Sequence, residues 1–281
     1  MMNAELNIST HPQGPIVSFH PLIRGDANFW SFTAVSEEVW CALAQARVAI
    51  FPQVFPEPLY HLARGLLPFV FPNYESRFRF RGKGGQFLMF RALKLPCPQS
   101  IWLPQIASLG PHPGAVSLDL FSFPFVLKTD DEHEGQGVFL IEDEVSWQRG
   151  LSYLKERERQ GRKGFLIQEY LPSPFDLRVV VFGKEKFPIW RKTGKSFRSN
   201  LSQGGEVIPC PDKFLERKAL AKVEELQAQT GIDLAALDFL FREGTPLFNE
   251  INYVFGRRAL GGRFEELLFK AVRAFLKSIP G

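Results

Sequence analysis

The sequence predicts an α/β domain followed by an antiparallel α+β unit, and three observations carry that expectation. Between residues 14 and 80, short apolar runs alternate with amphipathic stretches at strand–helix spacing, the pattern of a parallel sheet with crossover helices. From residue 81 onward, strands and helices come in blocks joined by tight hairpins, which calls for antiparallel pairing. The chain has 281 residues, 45% hydrophobic and 23% charged, enough for two domains or one large one, with 28 phenylalanines to supply buried area.

In the first block "IVSFH" reads as a strand and "SEEVWCALAQA" as a helix introduced by Ser36. "VAIFPQV" returns to strand, "PEPLYHLARGL" is a helix with proline at its start, and "PFVFPN" is a third strand. No GxGxxG follows the first strand, so dinucleotide binding finds little support there. "RGKGGQFLMFRALKLPCPQS" is a helix ended by Pro96 and Pro98, and "GPHPGAVSLDL" has the content of a connector. The second block runs "FPFVLK", an acidic glycine loop, "GVFLI" and a polar helix from about Glu144 to Gly161. It continues with "FLIQEYL", "DLRVVVF", "FPIWRK", an amphipathic helix over Asp212 to Thr230, a hairpin, and a closing helix from Phe264.

Several function classes find no support. Cys41, Cys97 and Cys210 are odd in number and far apart, which indicates neither a zinc site nor a disulfide framework. The formal charge of +4 suits an anionic ligand, but no basic stripe interleaved with aromatics marks a nucleic-acid surface. No apolar run approaches the roughly 18 residues that span a bilayer, and the start does not read as a signal peptide, so a cytoplasmic protein without a membrane partner is expected. His11, His20, His61, His112 and His133 form no Ser/His/Asp or Cys/His arrangement.

Four constellations remain. In "LAALDFLFREGTPLFNEIN", folding about Gly244 pairs Arg242 with Pro246, Leu240 with Phe248 and Asp238 with Glu250. Asp238, Glu250 and Asn252 then share one face, with opposed residues about 5 Å apart. Either this is a solvated pair at a strand end, or a cation relieves the repulsion, and these oxygens suit magnesium. A two-residue turn would shift the register and break the match. In "DLRVVVFGKEKFPIWRK", a loop at Lys184 and Glu185 sets Arg178 opposite Arg191, with Asp176 on the same face. Such opposed cations call for an anion between them, unless the hairpin is simply exposed and basic. In "VLKTDDEHEGQGVFLI", Lys128 precedes a loop with Gly135 and Gly137, which could cradle phosphate. It is not a Walker loop, and Asp130, Asp131, Glu132 and Glu134 count against phosphate contact. In "FLIQEYLPS", Glu169 by itself reads as a strand terminus.

Taken in order over about Gly82 to Gly262, these pieces resemble the ATP-grasp superfamily, most closely its RimK-like branch of alpha-L-glutamate ligases. The resemblance implies an ATP-grasp fold over residues 81–281 behind an N-terminal open α/β (pre-ATP-grasp) domain over 14–80, with a lid subdomain at about 123–173 and a C-terminal subdomain at about 174–281. It implies ATP and two magnesium ions, with manganese as a substitute, and small-molecule or peptide carboxylate and amine substrates. Lys83 and Lys128 correspond to phosphate-binding lysines, and Gln168, Glu169, Tyr170 and Leu171 to the hinge that receives adenine. Asp176 corresponds to the ribose partner, and Arg178 and Arg191 to the pair that holds substrate and transferring phosphate. Arg198, Ser199 and Asn200 match the motif that reaches the triphosphate, with Arg198 also placed in catalysis; Asp238, Glu250 and Asn252 match the metal ligands. Where the family reads A-S-P-G after the last ligand, this chain reads "YVFG", so Gly256, Arg257 and Arg258 border an acceptor pocket for a substrate with its own carboxylate or phosphate. The implied reaction is amide formation through an acylphosphate. A small-molecule kinase and a non-catalytic nucleotide-binding module are the alternatives on the same fold.

Overall fold

The computed structural model describes residues 5–12, 14–30, 34–110, 116, 121–130, 137–192, 206–257 and 260–280. In chain order the first elements are β1 (Leu6–Asn7), β2 (Ile16–Ser18), β3 (Ile23–Arg24), β4 (Ala27–Asn28), α1 (Glu37–Gln45), β5 (Val48–Ile50), α2 (Glu57–Leu66) and β6 (Phe69–Phe71). The middle holds α3 (Glu75–Arg79), α4 (Gly82–Ala92), β7 (Ser100–Leu103), β8 (Phe125–Thr129), β9 (Val138–Ile141), α5 (Glu144–Arg159) and β10 (Phe165–Glu169). The rest comprises β11 (Phe175–Phe182), β12 (Glu185–Lys192), β13 (Glu206–Ile208), α6 (Lys213–Thr230), β14 (Leu234–Arg242), β15 (Thr245–Asn252) and α7 (Arg263–Ser278).

The alternating first block forms a parallel sheet in the order β4-β2-β5-β6, as its spacing predicts. Ser36 caps α1 by accepting from Val39 N at 3.4 Å, and Pro56 precedes α2, where its missing N–H costs nothing. Helix α4 stops earlier than its prolines require: Lys94 takes a φ of +56° and Leu95 N returns to Phe90 O at 2.8 Å, so the helix has ended before Pro96.

The second block forms two antiparallel sheets, β7-β10-β8-β9 and β13-β12-β11-β14-β15. The edge strands β7 and β13, each four residues or fewer, are absent from the sequence reading because neither shows a sustained alternation. The four-stranded sheet buries one face under α5 through Trp147 and Leu154. The five-stranded sheet is covered on one side by α6 and on the other by α7, which buries Phe264, Leu268 and Val272 among Val180, Phe182 and Ala236. Each such large apolar side chain contributes about 1.5–3 kcal/mol. No helix among the described residues is long and apolar enough to cross a membrane.

Both hairpin registers differ from expectation. The β11–β12 turn lies at Gly183 and Lys184, with Gly183 at a φ of +60°, so Phe182 pairs with Glu185 and Arg178 with Ile189. Arg191 faces Asp176, and the expected Arg178–Arg191 opposition does not occur. The β14–β15 turn is the two-residue form, with Glu243 at +49° and Gly244 at +74°, the left-handed pair of a type I′ hairpin. Arg242 therefore pairs with Thr245, Phe241 with Pro246, Leu240 with Leu247 and Phe239 with Phe248. That register alone would set Asp238 against Asn249, but a bulge intervenes and Asp238 pairs with Glu250 after all.

Candidate active site

One face of the five-stranded sheet changes character along its strands. Val180, Phe182, Leu234 and Ala236 pack into the core with α7, whereas the same face toward the other strand ends carries Asp176, Arg178 and Asp238. Arg178 pairs with Asp238, Asp238 with Glu250 and Ala236 with Asn252, so the period-two alternation brings the three proposed metal ligands onto one face with both arginines. The free edge of β15 is covered. Gln86 of α4 donates to Ile251 O at 2.8 Å and accepts from Ile251 N at 2.8 Å, imitating a neighbouring strand, while Phe248 N donates to Pro96 O at 2.8 Å.

The arginines are held by aspartates. Arg191 donates to both oxygens of Asp176 at 2.6 and 2.8 Å and reaches Asp238 at 3.2 Å; Arg178 grips both oxygens of Asp238 at 2.7 and 2.6 Å. Asn252 Nδ2 adds a bond to Asp238 at 3.2 Å. The anion expected between the arginines is thus supplied by the chain, and Asp176, expected at the ribose, first of all aims Arg191. Burial works against both charged forms, yet Arg178 and Arg191 hold the Asp238 carboxyl below its usual range, and Asp238 raises Arg178 above its own. Arg191 is 1% exposed, and its Nη1 has no hydrogen-bond partner.

Glu250 differs from Asp238 in being half-buried with no hydrogen bond or ion pair among the described residues. The arginines, rather than a metal alone, offset the repulsion between the two acids. No group of three or more His, Cys, Asp or Glu able to hold a metal occurs among the described residues; the set here is two carboxylates and an amide. Glu250 and the Asn252 amide oxygen match the hard-oxygen preference of magnesium, and Asp238, whose lone pairs are taken up by Arg178, Arg191 and Asn252, would have to release one of those donors to join them.

Across the cleft stands the four-stranded sheet. A narrow cavity of about 10 Å³ is lined by Lys83, Phe87 and Phe90 from α4, Cys97, Lys128, Leu166 and Gln168, and Phe248 and Asn249 from β15. Three predicted nucleotide-contacting residues, Lys83, Lys128 and Gln168, therefore meet in one place. Lys128, 7% exposed, donates to Asn249 Oδ1 at 2.8 Å; burial pulls its ammonium down to about 8, against the upward pull of Glu250. Lys83 Nζ lies 3.4 Å from Thr129 O, and Gln168 donates to Ser100 Oγ at 3.1 Å. Glu169 accepts from Gln99 N at 2.6 Å and grips Arg242 at 2.9 and 3.1 Å, tying the two sheets together, with Tyr170 and Leu171 half-buried beside it. A shallow depression on α5, lined by Glu144, Val145 and Gln148, carries none of these groups.

Asp130 was expected to oppose phosphate from the loop. It turns inward instead, accepting from Gly84 N and, at 2.9 Å, from Trp102 Nε1, and so caps the start of α4. A side chain at Gly84 would meet Trp102 at 2.1 Å, so only glycine permits this approach. Asp130, Gln86 and Asn249 are the contributors that sequence reasoning missed. The polar Asn249 beside Glu250 was the signal available for the last. Gly256 is exposed, and Arg257 pairs with Glu265 of α7 at 2.6 Å and stacks 4.5 Å over Phe264, so it is anchored to α7. Arg198, Ser199, Asn200, Arg258, Asp131, Glu132, Glu134 and Gly135 lie outside the described residues.

Comparison with known proteins bears on the family and the fold. The family model described as RimK-like ATP-grasp domain matches residues 113–260. The chain is similar to an ATP-complexed D-alanine–D-alanine ligase from Bacillus anthracis, with 16% identity, a TM-score of 0.64, and 89% of this chain and 84% of that one covered. It is similar also to a RimK domain ATP-grasp protein from Sphaerobacter thermophilus, at 17% identity and a TM-score of 0.58, covering 81% of each chain. An N5-carboxyaminoimidazole ribonucleotide synthetase from Thermus thermophilus aligns at 18% identity and a TM-score of 0.62, covering 94% of this chain and 72% of that one. No curated protein sequence matches. At these identities the structural likenesses show a shared fold, while the family match spans more than half of the 281 residues: the chain belongs to the RimK-like ATP-grasp family.

Proposed function

We propose that this protein is a cytoplasmic, ATP-dependent carboxylate–amine ligase that forms an amide through an acylphosphate. The observation that carries the reading is the asymmetric acid pair: Asp238 is locked to two arginines while Glu250, opposite it on the cleft face, keeps an uncommitted carboxylate. Asp238, Glu250 and Asn252 are the residues to hold magnesium, which when bound neutralises charge on the β- and γ-phosphates. Lys83 and Lys128 face the phosphates across the cleft, and Gln168 to Leu171 border the adenine. Arg198, Ser199 and Asn200 belong to the triphosphate side of this proposal by resemblance.

In the first step a substrate carboxylate oxygen bonds to the γ-phosphorus as the bond to the ADP oxygen breaks. In the second, the amine attacks the acyl carbon, inorganic phosphate leaves and the amine gives up a proton. Arg178 and Arg191, held at fixed angles by their aspartates, supply preorganised positive charge for the phosphoryl group and the tetrahedral oxyanion. No side-chain nucleophile is needed.

The test is ADP release with magnesium across pooled amino acids and peptides, followed by mass spectrometry of new products. An amide formed only when carboxylate and amine are both present supports the reading. A phosphorylated alcohol formed without any amine would make the protein a kinase, and tight ATP binding without turnover under any pool would make it a switch module.

A further inference from the structure

Four side chains meet where the loops after β5 and β6 face the segment after β15: Gln53, Tyr74, Arg77 and Tyr253. Arg77 donates to Gln53 O at 2.7 Å and lies 5.0 Å over the Tyr74 ring. The Tyr74 and Tyr253 rings sit edge-on at 5.9 Å, and Phe255 N donates to Gln53 Oε1 at 3.4 Å, which closes the circle. Three buried polar atoms in this circle, Gln53 Nε2, Tyr74 Oη and Tyr253 Oη, have no hydrogen-bond partner. Tyr74 and Tyr253 are 0% and 7% exposed, and Arg77 forms no ion pair among the described residues. Nearby Tyr60 shows the ordinary outcome, since its hydroxyl accepts from Tyr74 N at 2.8 Å.

The inventory is one-sided. A guanidinium and an amide NH₂ can only donate, and the two phenols bring a donor each. Buried donors left unmet are costly to the fold. A group rich in acceptors, carrying one negative charge to balance one guanidinium, answers all four. The place suits a ligand, because it lies beyond the carboxyl ends of parallel strands in an open sheet. Tyr253 directly follows Asn252, the last residue of the strand that carries Glu250.

We infer that Arg77, Gln53, Tyr74 and Tyr253 form a binding site for a carboxylate of the amine substrate, one that the reaction does not consume. The substrate class is then an amino acid or peptide entering with its own carboxylate bound here, past half-buried Gln53 and Arg77. This assignment of the bound group rests on the ligase reading, whereas the site itself is tested without ATP. Pooled amino acids and dipeptides are screened against the full chain by saturation-transfer NMR. The strongest binder, its amide and inorganic phosphate are then titrated by calorimetry against wild type, Arg77→Met, Tyr253→Phe and Glu250→Gln.

The expected result is a carboxylate that binds at least about tenfold more tightly than its amide, with a loss of similar size in Arg77→Met. Tyr253→Phe weakens binding severalfold while leaving the thermal midpoint of the free protein unchanged or higher, since an unpartnered hydroxyl is removed. Glu250→Gln binds the carboxylate as wild type does. Equal affinity for acid and amide, preference for phosphate, unchanged binding in both pocket variants, or no binder at millimolar concentration would each overturn the site. So would a Tyr253→Phe chain that melts lower yet binds normally, because the hydroxyl then serves the fold through water. Carboxylate binding by a wild-type chain that turns over no ATP with any pool would uphold the site and sink the ligase reading instead.

Discussion

Two polar clusters flank the end of β15, and they balance their charges in opposite ways. On the sheet face, Arg178 and Arg191 meet Asp176 and Asp238 in forked pairs, so donors and acceptors nearly cancel within the chain. On the other side, Gln53, Tyr74 and Tyr253 present donors with nothing to receive them, beside an Arg77 that has no carboxylate partner among the described residues. A self-balanced cluster fixes geometry and makes little net demand on a ligand. A one-sided cluster specifies its ligand's chemistry. Glu250 stands between these cases, an acceptor left open beside a cluster that is otherwise closed.

The sharpest way to break the contrast is to unbalance the closed cluster. Asp238→Ala leaves two arginines over one aspartate and is expected to cost about 3–5 kcal/mol in urea unfolding, with loss of ATP turnover. A smaller change of opposite sign is expected at Asp233, a half-buried carboxyl with no cation beside it that desolvation pushes up to about 7, although Asn73 N donates to it at 2.8 Å. Its folded-state value lies above the unfolded one, so the folded protein binds more protons between about pH 4 and 7 and stability falls as pH rises through that window. Asp233→Asn should flatten this fall and raise stability at pH 8 by on the order of 2 kcal/mol, measured by unfolding at pH 5 and 8.

Lys128 gives the mirror case. Its value of about 8 lies below that of an unfolded lysine, so stability rises with pH from about 8 to 10. Lys128→Met should remove that rise, stabilise the protein at pH 7 by about 1 kcal/mol, and weaken ATP binding in calorimetry. The smallest effect on folding belongs to Glu250→Gln, within about 0.5 kcal/mol because the side chain holds no bond, yet magnesium-dependent turnover should disappear. Turnover that survives this change would undo the distinction between the two acids.

The class of the fold was legible because alternation of strands and helices is a local property. Ser36 before α1 and Asp212 before α6 announced helix starts through the same local chemistry. Register was less legible. The partner of Arg178 lies 60 residues away on β14, and no turn joins those strands, so packing against α6 and α7 rather than local sequence sets which carboxylate meets it. Residue types at the site could therefore be named from the sequence, while the pairing that closes the arginines onto aspartates could not. Asp130 misled for the same reason, since its partners Gly84 and Trp102 lie on other elements and an acid in a glycine loop looks solvated.

The bulge on β15 has a further consequence for how this chain tolerates gain and loss of residues. Deleting Asn249 would leave Phe239 with Phe248 and Asp238 with Glu250 in an unbroken ladder, so the acids need no extra residue to face each other. What the surplus position provides is a reach across the gap to Lys128 on the opposing layer. A single codon thus separates a sheet that merely displays two acids from one that is fastened to the opposing layer.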